Sequence, residues 1–190
     1  MAKRLLAGAT VPLVTDRNVP VQRLLIGSTW TNISVDIDMC ALLLVRRSGV
    51  GYKVATEQDF IYRQRRTNPD RSAFLTYLSP GQSVGPDRAQ IMVDFGALNP
   101  EVSRIMIAMS AQTPGTSLRN IGTLRTRVMD LATGETLYVY EHTQQAQLDA
   151  SCVTLWTLDH AGIQWHSRVS VSPYRGGPPA LVRDFGARPG

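Results

Sequence analysis

The chain has 190 residues and a formal net charge of +5, with 43% hydrophobic and 18% charged residues. This length and composition are typical of one globular domain, and no segment has the roughly 18 apolar residues of a transmembrane helix. The two cysteines, Cys40 and Cys152, lie in apolar segments without a CxxC spacing, which indicates a reduced, soluble, intracellular protein with buried thiols.

The first 22 residues are predicted to form an N-terminal extension or first strand. They open with Lys3 and Arg4 and a few apolar residues. A secretory signal peptide needs a continuous apolar run of roughly 7–15 residues. Thr10, Pro12 and Asp16 interrupt the run here, so we expect no such signal.

A strand is predicted from Val35 to Val45, because every odd-numbered position in this segment is apolar, whereas the even-numbered positions begin with charged residues. Asp36 and Asp38 share the second face, at the start of the strand, and this face becomes apolar further along. The pattern predicts a strand that runs from an exposed end into a centre covered on both sides. It also raises the question of what the two carboxylates contact, since buried charges need partners.

Residues 63–88 are irregular and rich in Pro, Gly, Ser and Asn, apart from a short predicted strand at "SAFLTYL". A loop of this length in a compact domain is usually functional or disordered. All basic residues of the chain except Lys3 and Lys53 are arginines, and arginine suits bidentate recognition of carboxylate or phosphate. Candidate contacts for an anion or a partner are Arg63, Arg65, Arg66, Arg71 and Arg88; a solvated basic loop is the favoured alternative.

The rest of the chain alternates with a period of two between short turns. "ATGE" and "HAGI" are predicted hairpin turns. Ile163 is predicted to share the apolar face of the last strand with Trp165. A short helix is predicted at Thr143–Ala150, and the Gly- and Pro-rich tail after Ser172 is expected to be partly loose. The pattern predicts an all-β antiparallel sandwich or barrel with little helix. Further strands are predicted at "AQIMVDF", "RIMIAMSA", "IGTLRTRVMDL", "TLYVYE" and "SCVTLWTL".

Five segments follow one another along the chain: "VDIDMCALLL", "EQDFIYRQ", "TYLSPGQSVGPDRAQIMVDFGALNPEVSRIMIAMS", "NIGTLRTRVMDLATGETLYVYE" and "WTLDHAGIQWHSRVSVSPYRGG". In their order and spacing, these segments resemble the TerD family of bacterial tellurium-resistance and stress-response proteins. The similarity covers roughly Arg23 to Gly186, and residues 23–186 are therefore predicted to be a TerD-like β-sandwich domain.

The resemblance implies calcium binding by clustered carboxylates, with Asp36, Asp38, Asp59 and Asp87 as the matching ligands. Loop carbonyls between Ser79 and Gly85 would complete the site. The sequence departs from the family pattern in two places. Arg63 and Gln64 stand where the family tends to have two asparagines, and only Asp87 remains of the family's acidic loop, with Arg88 beside it.

Calcium takes about six to eight oxygen ligands, and four carboxylates are fewer than the family pattern offers. The favoured alternative is a degenerate site in which an arginine satisfies an aspartate by a bidentate bond. Solvated aspartates without a partner are the third reading.

The functional expectation is a non-enzymatic TerD-like module of a stress-response assembly, with no cofactor unless calcium is retained. By family resemblance, its partners would be other proteins of that assembly, TerD-like paralogues among them. It would act in the cytoplasm, with contact to the inner face of the membrane. The alternatives are a working calcium-binding domain and a basic β-sandwich that binds anionic membrane or nucleic acid through residues 63–71. Nucleic acid is the less favoured ligand, because the charge is mild.

Overall fold

Two β-sheets pack face to face in the computed structural model, which describes residues 2–78, 87–142 and 148–188. The predicted antiparallel β-sandwich is confirmed. The strands and the helix are, in chain order, β1 (Lys3–Arg4), β2 (Thr10–Pro12), β3 (Arg23–Trp30), β4 (Ile37–Arg47), β5 (Gly51–Val54), β6 (Phe60–Ile61), β7 (Ala73–Tyr77), β8 (Ala89–Asp94), β9 (Val102–Ala111), β10 (Leu124–Asp130), β11 (Thr136–His142), β12 (Cys152–Ala161), β13 (Gln164–Pro173) and α1 (Gly177–Asp184).

Within the described residues, the first sheet has six strands and the second has seven. The first sheet has the order β1-β11-β10-β3-β8-β7, and the second has the order β2-β13-β12-β9-β4-β5, with β6 also paired to β4. All these pairs are antiparallel except β1 with β11. The first twelve residues therefore supply one edge strand to each sheet.

Strand β4, which lies between β9 and the edge strands β5 and β6, is buried on both faces from Ile37 to Val45. Met39, Leu43 and their neighbours face the first sheet and belong to the main core between the sheets. On the opposite face, Leu42 and Leu44 pack in a second cluster that includes Leu181 of α1. This arrangement is the doubly covered strand that the sequence predicts.

Both predicted hairpin turns are present. Gly134 lies in the turn between β10 and β11, and Gly162 lies in the turn between β12 and β13; both have positive φ angles. The prediction for Ile163 is wrong, because this residue lies in the turn itself and its side chain is 99% exposed. The apolar alternation of β13 begins only after the turn.

The segment after Ser172 differs from the expected loose tail. Strand β13 extends to Pro173, and the eight-residue helix α1 follows it. Leu181 and Val182 are buried against the outer face of the second sheet, and Ala180 is buried as well. The predicted helix at Thr143–Ala150 lies mostly outside the described residues. Among the described residues, no helix has the length and apolar character needed to cross a membrane.

Candidate functional site

Asp36 and Asp38 lie where the chain enters β4, on its outer face. Asp36 precedes the first residue of the strand, and just over half of its side chain is exposed. Asp38 is 6% exposed, and it pairs across the ladder with Ser110 of β9. The two carboxylates thus share a face, as their spacing predicts, but they differ in contact with water.

Arg63 binds Asp36 through both of its terminal nitrogens. The Nη1–Oδ2 distance is 3.1 Å and the Nη2–Oδ1 distance is 2.7 Å. Nη2 also donates to the carbonyl of Ile37 at 2.8 Å, and the backbone N–H of Arg63 donates to Oδ2 of Asp38 at 3.3 Å. The hydrogen bond with Arg63 lowers the pKa of Asp36 and raises the pKa of Arg63.

Asp38 has a second partner, the phenol of Tyr77 on the opposite sheet. The Tyr77 hydroxyl donates to Oδ1 of Asp38 and accepts a hydrogen bond from the backbone N–H of Met39 at 3.2 Å. Burial raises the pKa of Asp38, and this effect exceeds the opposing effects of the Arg63 backbone and charge. Its ionised form is therefore less stabilised by its surroundings than that of Asp36.

Asp59 belongs to a different network, at the 3-10 turn that precedes β6. Its Oδ2 accepts from the backbone N–H of Thr56 at 3.0 Å and from the Thr56 hydroxyl at 2.8 Å. Its Oδ1 accepts from the side chain of Asn68 at 3.1 Å. Asp59 is thus a buried capping residue that fixes the start of this turn.

Asp87 lies against the first sheet and pairs with Arg127 of β10. Arg127 donates from Nη2 to Oδ2 at 2.7 Å and from Nε to both oxygens at 3.1 Å, and Gln90 donates to Oδ2 at 2.8 Å. The carboxylate sits directly over Gly27 of β3, where a Cβ would lie 2.2 Å from Oδ2. Any side chain larger than that of glycine at position 27 would therefore clash with the carboxylate of this buried ion pair.

The candidate arginines other than Arg63 lie mainly on aromatic rings. The guanidinium carbon of Arg66 is 5.4 Å from the centroid of Tyr77, on which Arg63 also lies at 5.6 Å. The corresponding distances are 5.7 Å for Arg65 on Tyr62, 6.0 Å for Arg71 on Phe74 and 5.8 Å for Arg88 on Trp30. Stacking leaves the charge of a guanidinium available to an anion.

Among the described residues, the four predicted carboxylate ligands lie in three separate networks and are not gathered around one position. Arginine guanidinium groups bind Asp36 and Asp87, and hydroxyl and amide groups bind Asp59. In the parts of the chain that the structure describes, no three His, Cys, Asp or Glu side chains are placed to hold a metal ion. The loop carbonyls predicted as ligands between Ser79 and Gly85 lie outside the described residues. Of the four predicted carboxylates, only Asp36 and Asp38 share a network, through Arg63.

Sequence reasoning missed a cavity beside Asp38, beneath α1, whose lining includes both cysteines. The one available signal was the apolar setting of the two thiols. The helix that covers them was not predicted, because Gly and Pro residues at its start are typical of loops.

Comparison with known proteins gives one family match and structural neighbours. The sequence model of the TerD domain matches residues 1–185. A crystal structure of SAV2460, a protein of unknown function, has a TM-score of 0.66 and 16% identity over 89% of this chain and 99% of that one. SCO6318 from Streptomyces coelicolor A3(2), described as a homologue of the telluride resistance protein TerD, has a TM-score of 0.66 and 13% identity with the same coverage.

Comparison with curated protein sequences finds no significant match. The structural neighbours, at their low identities, support the fold, whereas the family match extends over nearly the whole sequence. The ordered motifs, the sandwich and this match agree, and the chain belongs to the TerD domain family.

Proposed function

We propose that this chain is a non-enzymatic interaction module of a tellurium-resistance-type stress response, in which Arg63 takes the place of a calcium ion. The observation that carries the proposal is the bidentate pair between Arg63 and Asp36. Membership of the TerD family supports the stress-response role. The same membership motivates the proposed cytoplasmic location at the inner membrane face, and partners that are other proteins of the assembly, including TerD-like paralogues.

The pair disfavours calcium for two physical reasons. Both oxygens of Asp36 already accept charge-assisted hydrogen bonds, which are among the stronger ones in proteins. The fixed positive charge of Arg63 also lies beside both carboxylates and would repel a divalent cation. Recruiting Asp59 or Asp87 as further ligands would require each to leave a buried network, which is costly.

Thermal unfolding with millimolar calcium or with a chelator tests this proposal. A ligand that binds only the folded state raises the melting temperature, so we expect calcium to leave that of the natural chain unchanged. Arg63→Asn removes the guanidinium from Asp36 and its positive charge from beside Asp38, and we expect calcium to stabilise this variant measurably. Arg65→Asn is the matched control, because Arg65 contacts neither aspartate, and it should remain insensitive.

One outcome would overturn the proposal. A calcium-dependent rise in the melting temperature of the natural chain, abolished by Asp36→Asn, would identify a working calcium sensor with Asp36 and Asp38 among its ligands.

A second candidate function is the binding of an anionic surface through Arg65, Arg66, Arg71 and Arg88. Among the described residues, none of these four forms a salt bridge with a carboxylate, unlike Arg63 and Arg127. Their positive charges are therefore not neutralised within the described part of the fold. Anionic lipid is the ligand that this arrangement favours.

Sedimentation with phosphatidylserine vesicles tests this second candidate. We expect Arg65→Ala with Arg66→Ala to weaken binding by about tenfold or more, at about 1 kcal/mol for each arginine, and added salt to weaken the natural chain strongly. Arg46→Ala with Arg47→Ala removes the same charge from exposed positions at the far end of β4. Equal losses for the two pairs would show that only net charge matters.

A further inference from the structure

A cavity of about 300 Å³ lies between the outer face of the second sheet and helix α1. Its floor is formed by the neighbouring strands β4, β9 and β12, and Pro178, Pro179, Leu181 and Val182 line its helical side. Its volume lies at the lower end of the range of small-molecule sites, about 300–1,000 Å³. No residue of the Arg63–Asp36 pair lines it.

The cavity exists because the strands present small side chains at this point. In the register of the sheet, Asp38 lies opposite Ser110, which lies opposite Cys152. Two residues further along β4, on the same face, Cys40 lies opposite Ala108. Further along the same face Leu42 pairs with Met106, and these larger side chains belong to the cluster that packs on α1. The space beneath the helix is therefore left by small residues.

The lining of the cavity has a polar part and an apolar part. The polar part comprises Asp38, the hydroxyl of Ser110 and the amides of Gln64 and Gln112. The apolar part includes the ring of Phe60, stacked on Tyr62 with ring centroids 4.8 Å apart, and the aliphatic side chains of α1. Such a cavity matches a molecule with one polar group and one compact apolar part.

The charges around the polar part of the lining favour a ligand whose polar group is positively charged. Asp36, Asp38 and Arg63 together carry a net charge of −1, and the hydrogen bonds of Arg63 with Asp36 leave Asp38 only a backbone N–H from this arginine. A carboxylate offers about four acceptor sites; within the described part of the chain, the Tyr77 hydroxyl and the Arg63 backbone N–H donate to Asp38.

We propose that this cavity binds a small amphipathic cation: a primary ammonium group on a short aryl or alkyl body. The ammonium group donates to the carboxylate of Asp38 and to the side chain of Gln64 or Gln112. The apolar body lies between Phe60 and the side chains of Leu181 and Val182. Filling the cavity leaves the pairing of Arg63 with Asp36 intact, because neither residue lines it.

Isothermal titration at neutral pH with phenethylamine and with its neutral analogue 2-phenylethanol tests the proposal. The two probes differ only in the amine, which is protonated at this pH. We expect saturable binding of phenethylamine at one site and at least about tenfold weaker binding of the alcohol, since a charge-assisted hydrogen bond is lost.

Three variants assign the site. Asp38→Asn should remove the preference for the amine while leaving the binding of the alcohol nearly unchanged. Cys152→Leu should fill the floor and weaken both probes, which keeps the test valid if Asp38→Asn fails to fold. Glu101→Gln removes the same charge at an exposed position in the turn before β9 and should bind like the natural chain. Equal affinities for amine and alcohol, retention of the amine preference in Asp38→Asn, or absence of saturable binding would each overturn the proposal.

Discussion

Two aspartates only two positions apart respond to the fold in opposite directions. The bidentate bond from Arg63 lowers the pKa of Asp36, and burial raises the pKa of Asp38. The difference follows from where the guanidinium lies, because Arg63 gives its side chain to Asp36 and only its backbone N–H to Asp38. At the start of β4, the charge of Asp36 is thus balanced by a guanidinium, whereas the charge of Asp38 is balanced less completely.

This contrast predicts the pH dependence of Asp36→Asn. We expect a loss of about 0.5–1 kcal/mol in unfolding free energy at neutral pH, a modest value because more than half of Asp36 is exposed. The folded pKa is lowered, so the stabilisation is present above the unfolded pKa of about 3.9 and is lost as pH falls through the folded value.

Urea unfolding of the natural chain and of Asp36→Asn across acidic pH measures this difference. The two curves should converge at low pH. Asp38→Asn is the internal contrast: the raised pKa means that the ionised form of Asp38 costs stability as pH rises through its folded value. Convergence of the Asp36→Asn curve towards neutral pH instead would contradict the assigned pairing.

Alternation along β4 predicts that Asp36 and Asp38 share a face, and an arginine bound to an aspartate was one of the alternatives that the sequence left open. The partners of Asp59 and Asp87 could not be predicted in this way. Arg127 is 40 residues from Asp87 in sequence and reaches it only because β3 places Gly27 between β8 and β10. Such a pair depends on sheet order, which local patterns do not encode.

At the scale of elements, α1 determines what the second sheet buries. Its start, "GPP", carries helix-breaking residues, which is why the sequence favoured a loose tail. In the fold, Gly177 begins the helix and is buried, and a Cβ on it would lie 2.6 Å from the hydroxyl oxygen of Ser151. Gly177 thus allows the helix start to approach Ser151, which precedes β12. Proline is favoured in the first turn of a helix, so Pro178 and Pro179 are compatible with a helix that begins here.

Truncation of Leu181, which is 1% exposed, should loosen this cover. We expect Leu181→Ala to cost about 2–3 kcal/mol in local stability and to speed the labelling of Cys40 and Cys152 by a thiol reagent without denaturant. Burial raises the pKa of Cys152 to about 12, so its reactive thiolate is scarce while the helix is closed, and opening of the helix speeds labelling. Leu6→Ala, at a position 80% exposed, is the control and should label at the natural rate.

At the scale of the whole molecule, alternation and turn residues predicted an antiparallel sandwich or barrel, and the family resemblance favoured the sandwich. The hairpins β10–β11 and β12–β13 pair neighbours in sequence, so their strand periods and glycine turns identify them directly. The pairing of β3 with β8 and β10, and of β4 with β9, joins segments far apart in the chain. Those pairings rest on burial of a shared core, and no short stretch of sequence specifies them.

The two edge strands at the N-terminus have a consequence for synthesis of the chain. Strand β1 pairs with β11, and β2 pairs with β13. Because a ribosome makes the N-terminus first, these strands emerge long before their partners exist. Strand β1 cannot pair until β11 has been made, and β2 cannot pair until β13 has been made, so the first strands to be synthesised join their sheets late.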